Sequence, residues 1–146
     1  MQQTSALEVG LPVVDLEVML AFYSGVLGCV EQRRADIPPA LSQSIGVSEG
    51  GYVNVWLATP NGEVIKLIAP PEAPRATAAP EFLSTRTGFA FLTFYCSDID
   101  GVLARAEAAG AVLRSDRALT SGEIGTKLCF FADPEGNVIE LVETLS

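Results

Sequence analysis

The chain has 146 residues, 49% of them hydrophobic, and its 18 acidic and 9 basic side chains give a formal charge of −9. This composition is typical of one globular domain with a substantial core, and it excludes disorder. The acidic balance and the lack of a Lys/Arg cluster argue against nucleic-acid binding. No apolar run is long enough to span a bilayer and no signal peptide is recognisable, so we expect a cytoplasmic protein without membrane partners.

The sequence contains no histidine. This excludes His-based metal sites, Ser–His and Cys–His couples and an imidazole base, and it leaves acid–base chemistry to Glu, Asp, Lys, Tyr or Cys. Cys29, Cys96 and Cys129 are odd in number, widely spaced and surrounded by apolar residues. We therefore predict buried, reduced thiols rather than a disulfide framework.

The first half of the chain predicts a strand at residues 6–14, where Pro12 favours an edge or bulge position. Asp15 then predicts a helix N-cap, and the helix that follows is closed by Gly28. The remaining predicted elements of this half are a short strand at 29–34, a long loop at 36–51, and hairpin strands at 52–58 and 63–68.

The second half repeats this order after a Pro- and Ala-rich linker. Asp98 predicts the N-cap of its helix and Gly110 the end. The other predicted elements are a strand at 88–96, a short strand at 111–114, a loop at 117–125, and hairpin strands at 127–131 and 138–143. We predict one domain over residues 1–146, with a first module at 6–70, the linker at 71–87 and a second module at 88–144.

A turn followed by an apolar strand occurs in both halves, at residues 59–68 and 132–143. The turn types are set by Pro and Gly, and Asp133 is predicted to accept hydrogen bonds from the turn backbone. The corresponding residues are Pro60 with Pro134, Gly62 with Gly136, and Lys66 with Glu140. Each half is therefore predicted to be βαβββ, an internal duplication in an α+β fold.

Four segments, residues 9–16, 22–28, 96–100 and 131–141, carry a resemblance to a known family. The chain resembles the vicinal oxygen chelate superfamily, which includes glyoxalase I, extradiol dioxygenases, and bleomycin and fosfomycin resistance proteins. The resemblance implies two βαβββ modules in tandem whose strands form a cup-shaped mixed sheet. It also implies a homodimer.

In metal-dependent members of that superfamily, four ligand positions face into the cup, two from each module. By the resemblance, these positions hold Glu8, Lys66, Phe91 and Glu140 here, and only Glu140 is the residue usual in the family. An ammonium and a phenyl group leave two carboxylates, which are too few for a protein-held transition metal. We therefore expect neither a metal nor another cofactor.

Charges in an apolar cup must be paired, so Lys66 is expected to bridge Glu8 or Glu140. One interpretation is structural, with Lys66 filling the vacated metal position. The other is catalytic, with one carboxylate as general base while Lys66 polarises a substrate oxygen. Glu140 is the first candidate for the base and Glu8 the second, and both are singled out by the resemblance rather than by spacing.

Strand alternation predicts a mostly apolar lining around these charges. Its predicted members are Phe89, Phe91, Thr93 and Val138. Trp56 is predicted to line the rim, with core packing as the alternative. Tyr95 is a candidate hydrogen-bond donor to an oxyanion, with surface packing as the alternative. Such a lining suits a small apolar or aromatic ligand that carries a carbonyl or phenol group.

These features predict a metal-independent enzyme that transfers a proton next to a carbonyl group, as an isomerase, epimerase or lyase. The alternative is a non-catalytic protein that sequesters a drug-like molecule, as bleomycin resistance proteins do, and the missing ligands and negative charge favour it. A third alternative is an accessory module that uses the fold only as a scaffold.

Overall fold

The computed structural model describes residues 2–75, 78–121 and 125–144. It contains two compact units, residues 1–75 and 76–146, and the boundary between them lies inside the predicted linker. Each unit holds one mixed β-sheet with a ten-residue helix. The predicted α+β class with two modules in tandem is confirmed.

Over residues 2–75, the first unit contains four strands and two helices. In chain order they are β1 (Glu8–Pro12), α1 (Leu16–Gly25), β2 (Val30–Ile37), α2 (Pro39–Ser44), β3 (Tyr52–Ala58) and β4 (Val64–Ala69). The sheet order is β1-β4-β3-β2, with β1 parallel to β4 and the other neighbours antiparallel. β1 lies at an edge of the sheet, as Pro12 predicts, because proline has no N–H to donate to a ladder.

The second unit contains five strands and one α-helix among the residues that the structure describes. They are β5 (Leu92–Tyr95), α3 (Ile99–Ala108), β6 (Val112–Leu113), β7 (Leu119–Ser121), β8 (Thr126–Ala132) and β9 (Val138–Thr144). The sheet order is β5-β9-β8-β6, with β7 paired to β8 and β5 parallel to β9. The order and directions match those of the first unit, which confirms the predicted duplication.

Both long helices begin at the predicted aspartates. Oδ1 of Asp15 accepts from the N–H of Val18 at 3.0 Å, and Oδ1 of Asp98 accepts from the N–H of Gly101 at 2.9 Å. Each carboxylate accepts a hydrogen bond from an N–H that has no partner within the helix. Its negative charge also interacts favourably with the positive end of the helix dipole. Gly110 follows the end of α3 with φ of +92°, as predicted for a helix-closing glycine.

One face of each sheet is covered by apolar side chains and packs with the long helix of its unit. In the first unit the buried residues on these elements are Met19, Phe22 and Tyr23 of α1 with Val55, Leu57, Ile65 and Leu67 of the sheet. In the second they are Ile99, Leu103 and Ala106 of α3 with Cys129, Phe131, Ile139 and Leu141. Because strand residues alternate between faces, the intervening residues lie on the opposite face of each sheet.

Most strand bounds differ from the sequence prediction by one to three residues; β1, for example, spans Glu8–Pro12 rather than residues 6–14. The predicted loop at 117–125 was wrong in part, because it contains β7.

Two further differences concern the first loop and β5. The predicted loop at 36–51 contains the end of β2 and helix α2, whose first residue is Pro39, a favourable residue at that position. β5 begins at Leu92, four residues later than predicted. Leu92 pairs with Ile139, and β9 begins only at Val138, so residues before 91 have no partner strand on that side.

The two hairpin turns are built in the same way. The N–H of Thr59 bonds to the carbonyl of Glu63 at 2.8 Å, and the N–H of Asp133 bonds to the carbonyl of Asn137 at 2.9 Å. Oδ1 of Asp133 also accepts from the N–H groups of Glu135 and Asn137, which confirms its predicted role.

None of the helices in the described ranges has the length and apolar character needed to cross a membrane.

Candidate functional site

Lys66 lies on the face of the first sheet opposite to that of the buried Leu67, since neighbours on a strand point to opposite sides. Its register partners are Gly10 on β1 and Trp56 on β3. Glu8 precedes Gly10 by two residues and therefore lies on the same face. The first unit thus brings together three of the predicted site residues.

Lys66 and Glu8 form an ion pair, with 2.5 Å between Nζ and Oε2. The pair that the sequence predicted with either Glu8 or Glu140 is therefore made with Glu8. Their side chains are 32% and 37% exposed, so water screens the attraction and the pair contributes only modestly to stability. Because the carboxylate of Glu8 is paired with this ammonium, Glu8 is less available than Glu140 to accept a proton from a substrate.

The indole of Trp56 is in contact with a cation from the neighbouring strand. Arg33 is its register partner on β2, and the guanidinium carbon lies 4.7 Å from the ring centroid. This distance is within the range of a cation–π interaction. Trp56 is therefore flanked by Arg33 on one strand and by Lys66 on the other.

Glu140 is the central residue of the opposite face in the second sheet. It is the register partner of Thr93 on β5, and Oγ1 of Thr93 donates a hydrogen bond of 2.7 Å to its Oε2. The hydroxyl fixes one carboxylate oxygen and, as a hydrogen bond to a charged acceptor, is of the stronger kind. Among the described residues, no side chain donates to the other oxygen of Glu140.

An aromatic pair lies beside Glu140. Phe130 is its register partner on β8, and the ring of Phe130 meets that of Phe91 edge to face, at 5.2 Å between centroids and 89° between planes. Phe91 remains 43% exposed. Glu140 therefore has the hydroxyl of Thr93 on β5 and the ring of Phe130 on β8 as its cross-strand neighbours, and Phe91, just before β5, adds a partly accessible ring to Phe130.

A second carboxylate on β9, Glu143, serves the helix instead. It lies on the face of α3, and its Oε2 accepts from the N–H of Ile99 at 2.9 Å. This interaction supplies a partner for an N–H in the first turn of the helix. Of the two glutamates on this strand, only Glu140 lies on the face away from the helix.

The remaining predicted residues of the second unit differ in exposure. Val138 is 5% exposed, whereas Tyr95, at the end of β5, is 77% exposed. Phe89 is 99% exposed and precedes β5, so strand alternation does not fix its direction. The strand register of the second unit therefore brings Thr93 and Phe130 next to Glu140, and Phe91 packs against Phe130.

Phe130 and Asn54 belong to these faces, and the sequence analysis did not identify them. A signal for Phe130 is present, because it precedes Glu140 by ten residues, as Trp56 precedes Lys66. Aligning the two halves on their turns places both aromatic residues at the same position. For Asn54 no motif was available, since an isolated asparagine in a strand has no sequence signature.

The cysteines do not supply a nucleophile at neutral pH. All three thiols are free, and burial raises the pKa of both Cys29 and Cys129 to about 11. Burial also raises the pKa of the half-buried Cys96. Protonated thiols are poor nucleophiles, and Cys29 and Cys129 act as apolar core groups. The prediction of buried thiols was wrong for Cys96, which is only partly buried.

The donor set does not fit a protein-held metal ion. The carboxylate of Glu8 forms an ion pair with Lys66, and Phe91 has no lone pair to donate to a metal ion. Over the described residues there is no group of three or more Cys, Asp and Glu side chains suited to a metal ion. Divalent ions need several oxygen, nitrogen or sulfur ligands, which these four positions do not supply.

An open cleft of about 390 Å³ lies at one end of the first sheet. Its walls include Tyr52 and four prolines, Pro38, Pro39, Pro70 and Pro71. Asp36 lines the same cleft, and no described residue forms an ion pair or hydrogen bond with its carboxylate. The cleft therefore combines rigid apolar walls with one unpaired negative charge.

Comparison with known proteins decides the family. The sequence model of the Glyoxalase/Bleomycin resistance protein/Dioxygenase superfamily matches residues 6–141. The chain belongs to this superfamily. The predicted family is therefore confirmed, although no curated protein matches the sequence.

Solved structures of the same superfamily are similar in fold. A glyoxalase family protein from Bacillus cereus has a TM-score of 0.82 at 21% identity, covering 99% of this chain and 97% of that one. A glyoxalase I mutant from Zea mays has a TM-score of 0.71 at 17% identity, covering 97% of this chain and 46% of that one. The fosfomycin resistance protein FosX from Listeria monocytogenes has 0.64 at 14% identity, covering 97% and 94%. At these identities the similarity establishes the fold, which hosts several chemistries.

Proposed function

We propose that this member of the glyoxalase superfamily is a metal-independent enzyme that transfers a proton next to a carbonyl group. The reaction would be an isomerisation, an epimerisation or a lyase-type elimination on a small hydrophobic or aromatic substrate. The hydrogen bond between Thr93 and Glu140 is the main support for this proposal, because it holds a carboxylate on a sheet face beside an aromatic surface.

Glu140 is the proposed base. Its carboxylate would take the proton from the carbon next to the carbonyl, and the electron pair of the broken C–H bond would move to the carbonyl oxygen as an enolate. Thr93 keeps one oxygen of Glu140 in place, so the other remains available for the proton. Return of the proton to the same or a neighbouring carbon regenerates the base.

The developing enolate oxygen requires positive charge or hydrogen-bond donors. Tyr95, which lies in the same unit as Glu140, is the proposed donor to this oxygen. By the resemblance, Lys66 of the first unit is also proposed to polarise a substrate oxygen, and its ammonium retains two N–H groups beyond the one directed at Glu8. Glu8 would then set the orientation of Lys66 rather than act as a base.

The aromatic side chains support the choice of substrate class. Phe91 and Phe130 present a partly accessible edge-to-face pair beside Glu140, and offset or edge contacts with such rings favour an aromatic or apolar ligand. We propose small aryl ketones and related carbonyl compounds as the first substrates to examine. Trp56 is a further proposed contact residue.

Deuterium exchange tests this proposal without knowledge of the natural reaction. The protein is incubated in D₂O with aryl ketones that carry an acidic α-proton, such as phenylacetone, and the loss of the α-proton signal is followed by ¹H NMR. We expect exchange that depends on protein concentration and is lost in Glu140→Gln. Exchange no faster than in buffer across the panel would reject the enzyme.

Sequestration of a cationic aromatic compound is the second candidate function. It is favoured by the cleft, where Asp36 provides an unpaired carboxylate beside Tyr52 and the proline walls, and by the net charge of −9. Cationic aromatic antibiotics would then raise the Tm of the protein, and Asp36→Asn would remove the increase.

The cytoplasmic location and the homodimer remain proposals, and gel filtration with light scattering tests the latter.

A further inference from the structure

Arg33 of β2 is a cation without an anionic partner. Its side chain is exposed, and no described residue forms an ion pair or a hydrogen bond with its guanidinium. The guanidinium lies instead over the ring of Trp56, with 4.7 Å between its carbon and the ring centroid. The chain has twice as many acidic as basic side chains, so the lack of a partner does not result from a shortage of carboxylates.

A β-bulge places Arg33 on a different face from the nearest carboxylate of its own strand. Glu31 is the register partner of Leu57 and Arg33 is that of Trp56, so β2 advances by two residues where β3 advances by one. Register partners share a face, and Leu57 is buried on the face of α1 whereas Trp56 lies on the opposite one. Bulges often re-aim a side chain in this way next to a functional site.

The neighbouring Arg34 has the partners that Arg33 lacks. Its Nε and Nη2 donate to the two carboxylate oxygens of Glu31 at 3.0 and 3.1 Å, and its Nη1 lies 3.5 Å from Oε1 of Glu17 on α1. These acids lie on the side of the helix, as Arg34 does. Of the two adjacent arginines, one therefore joins the strand to the helix and the other is accessible to a ligand.

The second unit repeats the bulge without the cation. The carbonyl of Phe130, which corresponds to Trp56, accepts from the N–H groups of both Arg114 and Ser115, at 2.9 and 3.2 Å. Aligning the first paired residues of β2 and β6 places Ser115 at the position of Arg33. A small polar residue therefore fits this position, and the fold does not require an arginine there.

Arg33, Trp56 and Lys66 form a row across three neighbouring strands of the first sheet. Lys66 is paired with Glu8 on the same face, so the two cations and one carboxylate leave a net positive charge. The next row along the strands is about 7 Å away. It carries two partly exposed aliphatic side chains, Ala35 and Ile68. A ligand with its anionic group on the first row would have its apolar body over the second.

We propose that Arg33 binds the carboxylate of a small aryl carboxylic acid on this face. The guanidinium presents a planar fork of N–H groups that matches the two oxygens of a carboxylate. Its contact with Trp56 restricts the fork before the ligand binds, so less side-chain entropy is lost on binding. Lys66, with two N–H groups not directed at Glu8, is the second donor to the anion.

This site goes beyond the proposed proton transfer and does not depend on it. It consists of residues of the first unit alone, whereas Glu140 belongs to the second. It also adds a requirement of its own, a negative charge on the ligand, which the α-proton exchange of a neutral ketone does not need.

Isothermal titration calorimetry with matched acids and amides tests the proposal. The probes are benzoate with benzamide, and phenylacetate with phenylacetamide, which have nearly the same shape and differ in charge. We expect the wild type to bind at least one acid at least about tenfold more tightly than its amide. The fluorescence of Trp56, the only tryptophan of the chain, should change on binding of that acid.

Variants of the two adjacent arginines assign the preference to one side chain. Arg33→Met keeps an unbranched apolar side chain without the cation and should lose the preference, whereas Arg33→Lys should retain only part of it because an ammonium has no planar fork. Arg34→Met removes the same charge from the opposite face and should keep the preference, as should Glu140→Gln. A wild type without preference for either acid, an Arg33→Met variant that keeps it, or an equal loss in Arg34→Met would overturn the proposal. Loss of ketone exchange with the acid preference intact would reject only the proton transfer.

Discussion

Thr93 and Glu140 are register partners on parallel strands, and the hydroxyl of Thr93 donates a 2.7 Å hydrogen bond to the carboxylate. At the same positions of the first unit stand Gly10 and Lys66. Gly10 has no side chain to offer, so Lys66 extends to Glu8 instead. The duplication therefore holds a carboxylate at one copy of the position and an ammonium at the other, each fixed by its own neighbouring edge strand.

Replacing Glu140 by Gln should reduce the rate of α-proton exchange by about 10²–10⁴-fold, because an amide oxygen is too weakly basic to take the proton. The glutamine still accepts a hydrogen bond from Thr93, so ligand affinity should change only a few-fold. Rates and affinities of the variant are compared with those of Glu72→Gln, which removes the same charge from an exposed loop. Full retention of kcat would reject Glu140 as the base.

Replacing Thr93 by Val should lower kcat by about tenfold and leave KM nearly unchanged, because the variant loses the hydrogen bond that orients Glu140 but keeps the shape of the side chain. Thr93→Ser restores the hydroxyl and should recover most of the rate. The KM and kcat values of the two variants are measured in the exchange assay. Equal losses in Val and Ser variants would assign Thr93 to packing instead.

The ion pair between Lys66 and Glu8 should matter more for activity than for stability. With both side chains about one-third exposed, their coupling free energy should be about 0.2–1 kcal/mol and should shrink in high salt. Urea unfolding of Lys66→Met, Glu8→Gln and the double variant measures it. If Lys66 polarises a substrate oxygen, Lys66→Met loses at least about tenfold in kcat, whereas unchanged turnover supports the structural interpretation.

Removing the side chain of the first turn residue should lower the free energy of unfolding more in the second hairpin, at Asp133, than in the first, at Thr59. Asp133 is 2% exposed and its carboxylate accepts from two backbone N–H groups and from the amide of Asn137, so Asp133→Ala should cost about 2–4 kcal/mol. Thr59→Ala, in a more exposed turn with one backbone acceptor role, should cost about 1 kcal/mol or less. Chemical denaturation compares the free energies of unfolding. Equal costs would contradict a role for the buried carboxylate.

Because two thiols are buried, we expect the free energy of unfolding to decrease at alkaline pH. Burial raises the pKa of Cys29 and Cys129 from 9.0 to about 11. Below pH 9 both states keep these protons; between pH 9 and 11 the unfolded state loses them first, so the free energy of unfolding falls as pH rises. The slope of the urea midpoint against pH should be smaller in a Cys29→Ala/Cys129→Ala variant than in the wild type. Parallel slopes would show that the thiols do not contribute.

Much of the fold was predictable because its signals are local. Asp15 and Asp98 cap helices through their own side chains, and proline and glycine define the two hairpin turns within a few residues. Strand β3 has the predicted bounds, since an apolar run between turns suffices to define it. The length of β5 was not predictable, because it depends on where β9 begins, 46 residues after Leu92.

The family, the duplication, the charge inversion between Lys66 and Glu140, and the chemistry excluded by the lack of histidine could all be read from the amino-acid sequence. The pairing of Lys66 with Glu8 and the hydrogen bond from Thr93 to Glu140 became known only from the three-dimensional structure. The same is true of Oδ1 of Asn54, which has no hydrogen-bond partner among the described residues. These facts depend on strand register, which pairs residues far apart in the chain. Local propensities do not encode that register, because it follows from the packing of whole sheets against their helices.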